Sequence, residues 1–93
     1  MRKVKQILSE FQRWQLSISI EDGRVVLNGG DKRAREHYRN FMDEHKTVEA
    51  YIILEMAKND PDLMFEIEER AAIREADGLP GDLFSAVMCN FTN

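Results

Sequence analysis

Apolar residues near the start of the chain recur every three or four positions, which is the spacing of one face of an amphipathic helix. Polar residues fill the positions between them, so the pattern predicts a first helix over residues 2–14. From residue 16 the spacing changes to two, as in a half-buried strand. The apolar positions are Val4, Ile7, Leu8, Phe11 and Trp14 in the helix, then Leu16, Ile18 and Ile20 in the strand.

The dipeptide Asp22-Gly23 follows this strand and favours a two-residue type I′ turn, in which both residues have positive φ. A turn of that length predicts a hairpin in which Glu21 lies opposite Arg24 and Ile18 lies opposite Leu27. A shift by one residue would expose every apolar side chain, so the register is well specified. The predicted inward face consists of Leu16, Ile18, Ile20, Val25 and Leu27, and the outward face of Ser17, Ser19, Glu21, Arg24, Val26 and Asn28.

Helical spacing returns after Gly29-Gly30, with Asp31 as a predicted N-cap. Residues 32–58 predict either two helices that meet near His45, with Thr47 capping the third helix, or one unbroken helix. The segment after Thr47 is apolar most of the way round, so it is either deeply buried or in contact with another chain.

Asp60 and Pro61 predict the start of a fourth helix that ends at Gly78. Asp82 predicts the cap of a short last helix, and Cys89 is expected to be a buried, inert thiol. The inward positions are expected to be Leu63, Met64, Ile67, Ala71 and Ile73 in the fourth helix, and Leu83, Phe84, Val87, Met88 and Phe91 in the last.

These elements predict an α+β fold in which a two-stranded antiparallel hairpin packs on a mainly helical body. The length of 93 residues is that of a single domain, residues 1–93. Within it, residues 1–57 form an αββαα unit and residues 60–93 form an acidic helical extension, with one or two helices.

The net charge of −4 is divided unevenly along the chain. Residues 1–46 carry 10 basic and 7 acidic side chains, whereas residues 47–93 carry 3 basic and 10 acidic ones, which gives net charges of +3 and −7. Such a division suggests two different surfaces, although each half can equally have an ordinary solvated face. The single cysteine and the lack of a long apolar run predict a cytoplasmic protein without a membrane span or signal peptide.

The motifs that usually accompany catalysis or cofactor binding are missing from the sequence. His37 and His45 lie about two helical turns apart, too far to share a metal ion. Glu66, Glu68, Glu69 and Glu75 are typical of a solvated acidic helix face. We therefore expect a protein that is not an enzyme, with no metal and no cofactor.

Two surfaces remain as candidates for binding. The basic segment of the second helix could contact nucleic-acid phosphates through Lys32, Arg33, Arg35 and Arg39. The hairpin could add a strand from another chain at an open edge, or it could only cover the helical core.

The order of elements from Val4 to Leu54 resembles the N-terminal docking domain of tubulysin-type peptide synthetases, the TubC-like docking domain. The resemblance lies in the first apolar helix, the alternating strand, Asp22-Gly23, and His45-Lys46 before a last apolar helix. It implies an αββαα module that pairs with itself and captures a partner's tail along the hairpin. Carried over, the partner-binding residues would be Arg24, Val26, Asn28 and Lys46.

The segment from Glu68 to Pro80 resembles a segment of small uncharacterised proteins from bacterial mobile elements and phages. The leading hypothesis is a non-catalytic docking module for another protein, homodimeric through the third helix or the C-terminal helices. A second hypothesis is an acidic phage or mobile-element inhibitor, or decoy, of a nucleic-acid-binding protein. A third is direct nucleic-acid binding through the second helix; a membrane is not expected as a partner.

Overall fold

A computed structural model describes residues 2–89, and it has the small α+β fold that the sequence predicts. A hairpin of two antiparallel strands follows the first helix, and four further helices follow the hairpin. The elements are α1 (Arg2–Arg13), β1 (Leu16–Glu21), β2 (Arg24–Gly29), α2 (Lys32–Glu44), α3 (Lys46–Ala57), α4 (Pro61–Ala76) and α5 (Leu83–Met88). In the described part of the chain, no helix has the length and apolar character needed to cross a membrane.

The hairpin has the predicted turn and register. Asp22 and Gly23 have φ angles of 52° and 73°, the two left-handed positions of a type I′ turn. Glu21 pairs with Arg24, and Ile18 pairs with Leu27. The alternation of apolar and polar residues therefore fixes which side of the hairpin faces the helices.

Helices α2 and α3 are separate, which decides between the two predicted alternatives. His45 joins them with a backbone that is not helical (φ −127°, ψ 68°), and its ring stacks on that of Phe41 with centroids 4.5 Å apart. Asp31 caps α2 as predicted, by accepting a hydrogen bond from the backbone N–H of Arg33. Thr47 is not the cap of α3, because that helix already begins at Lys46.

Helix α3 lies at the centre of the core and contacts α1, α2, α4, α5 and β2. These elements bury part of its apolar surface and leave Val48, Tyr51, Leu54 and Met56 half-buried. The buried residues of α3 are Glu49, Ala50, Ile52, Ile53 and Ala57.

The C-terminal helices begin where the sequence predicts but leave three expected core residues exposed. Asp60 accepts a hydrogen bond from the N–H of Leu63, and Asp82 accepts one from Ser85. Cys89, however, is exposed at the C-cap of α5, where its sulfur accepts a hydrogen bond from Arg74. Ile73 and Met88 are exposed too, since the buried faces of α4 and α5 are narrow; Phe91 lies outside the described residues.

Candidate functional site

The outer edge of β2 is the part of the hairpin that faces the basic helix α2. In an antiparallel pair, alternate residues direct their N–H and C=O groups away from the partner strand. The pairing register makes Val25, Leu27 and Gly29 the outward residues of β2. This assignment is supported by side chains that reach the backbone of Val25 and Gly29 from outside the hairpin.

Glu49, on α3, bonds the outer edge of β2 at Val25. Its carboxylate accepts a hydrogen bond of 3.0 Å from the backbone N–H of Val25, although 24 residues separate the two in sequence. Glu49 is only 4% exposed, so its charge is withdrawn from water and needs compensation. Two arginines supply that compensation.

Arg24 and Arg39 hold the Glu49 carboxylate from either side. The Nε of Arg24 lies 3.2 Å from Glu49 Oε1, and the Nη2 of Arg39 lies 3.0 Å from Oε2. Arg39 also donates to the backbone C=O of Val25 through Nη1. Both outward groups of Val25 are therefore bonded within the chain, and a strand that arrived from outside could not pair there.

Asp43 completes the cluster at the surface and bonds both arginines. The hydrogen bond from Arg24, followed by that from Arg39, lowers the pKa of Asp43 below its ordinary value of 3.8. A carboxyl whose pKa is lower in the folded than in the unfolded chain stabilises the fold above the unfolded pKa. This contribution is lost as the pH falls through the folded pKa.

We therefore expect the Asp43 carboxyl to titrate at a lower pH in the folded chain than in the chain unfolded by urea. Carbon-detected NMR of the side-chain carboxyl measures both midpoints. Replacing Arg24 by glutamine should move the folded midpoint upward, because Arg24 is the strongest of the groups that lower it. An unchanged midpoint in R24Q would contradict this arrangement.

A groove of about 570 Å³ lies between the outer edge of β2 and α2. Its walls combine apolar surface from the strand with arginine side chains from both elements and acidic side chains from α2. Leu27 lies at the middle of this edge, and among residues 2–89 no hydrogen bond reaches its outward N–H or C=O. The lining residues are Arg24, Val25, Val26, Leu27, Arg35, Glu36, Arg39, Asn40 and Asp43.

Of the four partner-binding residues that the resemblance implies, two line the groove and two do not. Arg24 and Val26 both line the groove. Asn28 is exposed on the outward face of the hairpin and is not part of the groove lining. Lys46 lies at the start of α3, where its Nζ is 3.8 Å from Asp43, and it lines a second cavity on the other side of Arg24.

The basic residues of α2 are largely engaged within the chain. Arg35 donates to the C=O groups of Gly29 and Gly30, and Arg39 belongs to the Glu49 cluster. Lys32 lies 4.0 Å from Glu36. Arg33 faces a different cavity, beside Trp14 and His37. The four residues proposed to contact nucleic acid therefore do not present one common, unoccupied basic surface.

Sequence reasoning missed Glu49, Asp43 and Leu27 as parts of this site. The hydrogen bonds that join Glu49 to Val25 and to Arg24 span 24 and 25 positions of the chain, so periodicity could not reveal them. One signal was available: Glu49 and Glu55 are acidic residues between the apolar positions of α3, and the structure buries Glu49. A charge in such a position indicates a buried partner. In the described part of the chain, no three His, Cys, Asp or Glu side chains are grouped to hold a metal ion.

Comparison with known proteins adds no relative: no family model, no curated protein and no solved structure matches the chain. The resemblances to the TubC-like docking domain and to mobile-element proteins therefore stay predictions.

Proposed function

We propose that this chain is a non-catalytic docking module that captures an extended segment of another protein in the groove between β2 and α2. The proposal rests on the backbone of Leu27, whose outward N–H and C=O have no hydrogen-bond partner among residues 2–89. Its N–H and C=O face the groove, while the neighbouring outward groups at Val25 and Gly29 are bonded by side chains of the same chain. A segment that enters the groove can thus pair in one defined position.

Side chains along the groove set the chemistry of the partner. Val26 and Leu27 are half-buried, and they provide apolar surface for one side of an extended segment. The Nε and Nη2 of Arg35 and the Nη1 of Arg24 have no hydrogen-bond partner among the described residues. Guanidinium groups pair best with carboxylates. We therefore expect a segment that alternates β-branched or other apolar residues with aspartate or glutamate.

Selection from a displayed library of random short peptides tests this expectation. The enriched peptides should alternate apolar and acidic residues. When such a peptide binds, the Leu27 amide should exchange more slowly with solvent. The Val26 amide should not change, because it already faces β1. Amide exchange measured by NMR distinguishes these two neighbours.

Replacing Val26 by glutamate should weaken binding of the selected peptides by about tenfold or more, because the new carboxylate repels an acidic segment in the groove. Arg33→Glu is the matched control, since it changes the charge in the same direction on α2 but outside the groove. Circular dichroism should show that both variants fold. Equal weakening by the two substitutions would mean that binding follows overall charge, and it would contradict the proposal.

A second candidate function rests on the exposed face of α4. Phe65 is 64% exposed and Ile73 is 46% exposed, and several glutamates lie around them. An acidic face with exposed apolar residues could occupy a basic surface, as an inhibitor or decoy of a nucleic-acid-binding protein would. Binding of that kind should weaken steeply with added salt, whereas docking in the groove should keep part of its affinity, because strand pairing and apolar contact are not screened.

A further inference from the structure

In the described part of the chain, the outer edge of β1 makes no hydrogen bond to another element; Ile18 and Ile20 on this edge are half-buried, and Leu16 at its start is buried. The register that turns Val25, Leu27 and Gly29 outward on β2 turns Leu16, Ile18 and Ile20 outward on β1. Among residues 2–89, no hydrogen bond from outside the hairpin reaches the backbone N–H or C=O of these three residues. β1 therefore ends the sheet with a row of unpaired groups.

The two edges of the hairpin differ in how many of their outward backbone groups are bonded by side chains of the same chain. The edge of β2 is closed by Glu49 and Arg39 at Val25, and by Arg35 at Gly29. The edge of β1 lacks two common devices against strand addition, because the segment Leu16–Glu21 contains no lysine and no proline. An edge left in this state is suited to pairing with another strand.

We propose that β1 pairs with β1 of a second copy of this chain, antiparallel, with the two-fold axis at Ile18. In this register the outward groups of Ile18 meet those of the second copy's Ile18, and those of Leu16 meet the second copy's Ile20. The two hairpins then form one continuous four-stranded sheet. This surface differs from the groove of the docking proposal, so either proposal can hold without the other.

The side chains of β1 are complementary to themselves in this register. On the outward face, Ser17 lies opposite the second copy's Ser19, and Glu21, the charged residue of β1, lies beyond the paired residues 16–20, so no like charges meet. On the inward face the apolar rows of both copies join. Ile18 and Ile20 are half-buried although they face the helices, so a neighbouring strand would cover more of them. These features favour a second copy as the occupant.

Amide exchange at two protein concentrations tests the pairing within a single chain. The amides of Ile18 and Ile20 should become protected as the concentration rises, because they are bonded only in the pair. The amides of Ser17 and Ser19 face β2 and should be protected equally at both concentrations. Light scattering at the higher concentration should give about twice the monomer mass of 10.8 kDa. A monomer at millimolar concentration would overturn the proposal.

Charge exchange on the outward face identifies the surface. S17K/S19K places lysines opposite each other across the axis, and S17E/S19E does the same with glutamates, so each variant should raise the dissociation constant by about tenfold or more. An equal mixture of the two should pair again, because lysine then faces glutamate. Asn28→Lys, on the same face but on β2, should pair like the unchanged chain. If both double variants pair as tightly as the unchanged chain, or if the mixture stays monomeric, the β1 interface is wrong.

Discussion

Replacing Glu49 by alanine is expected to lower the free energy of unfolding by about 3 kcal/mol. The carboxylate accepts hydrogen bonds from the backbone N–H of Val25 and from the guanidinium groups of Arg24 and Arg39. Without it, the buried N–H of Val25 has no acceptor and two arginines lose their most buried partner. Both arginines keep contact with water and with Asp43, which holds the loss near the lower end for a broken buried pair.

Glu49→Gln separates the charge of this residue from its shape. The amide keeps one oxygen that can accept from Val25, but it removes the negative charge that faces Arg24 and Arg39. We expect a loss of about 1–2 kcal/mol, clearly smaller than that of E49A. Urea denaturation followed by circular dichroism gives both values.

Asp43→Asn is the surface control for this pair of variants. Asp43 bonds the same two arginines but is half exposed to water, so its removal should leave the stability almost unchanged. An E49A chain as stable as the unchanged protein would show that the buried cluster does not hold β2 against α3. Equal losses in E49A and E49Q would show that charge alone, and not the bond to Val25, matters.

The hairpin could be predicted in full because its determinants are local. The alternation from Leu16 to Ile20 fixes the inward face, and Asp22-Gly23 fixes a turn of two residues, from which the register follows. The break between α2 and α3 could not be predicted uniquely from the sequence, which left one unbroken helix as an alternative. No proline or glycine marks it, and a single residue, His45, leaves the helical conformation there.

The candidate site could be predicted only in part, because it depends on contacts between distant residues. The spacing along β2 places Arg24 and Val26 on one face, and both do line the groove. The partners that close the edge at Val25 come from α2 and α3, and no local pattern links Glu49 to Arg24. The exposure of Cys89 could not be predicted because it depends on where α5 ends.

Gly30 connects β2 to the cap of α2. Replacing it by alanine should lower the free energy of unfolding by about 3 kcal/mol. Its φ of +57° is left-handed, and a Cβ there would lie 2.5 Å from the carbonyl oxygen of Trp14 and 2.8 Å from Cδ2 of Leu16. The backbone oxygen belongs to the turn between α1 and β1, so the turn and the start of α2 would have to move apart.

Gly78→Ala is the matched control, because it carries the same left-handed strain without the close approach. Gly78 has a φ of +78°, and a Cβ there would meet no atom within 4 Å. Its replacement should therefore cost about 1 kcal/mol, the strain of a left-handed alanine alone. The difference between G30A and G78A in urea denaturation measures the steric contact at Trp14. Equal losses would mean that the α1–β1 turn does not press against Gly30, and that this contact does not set the position of α2 beside the groove.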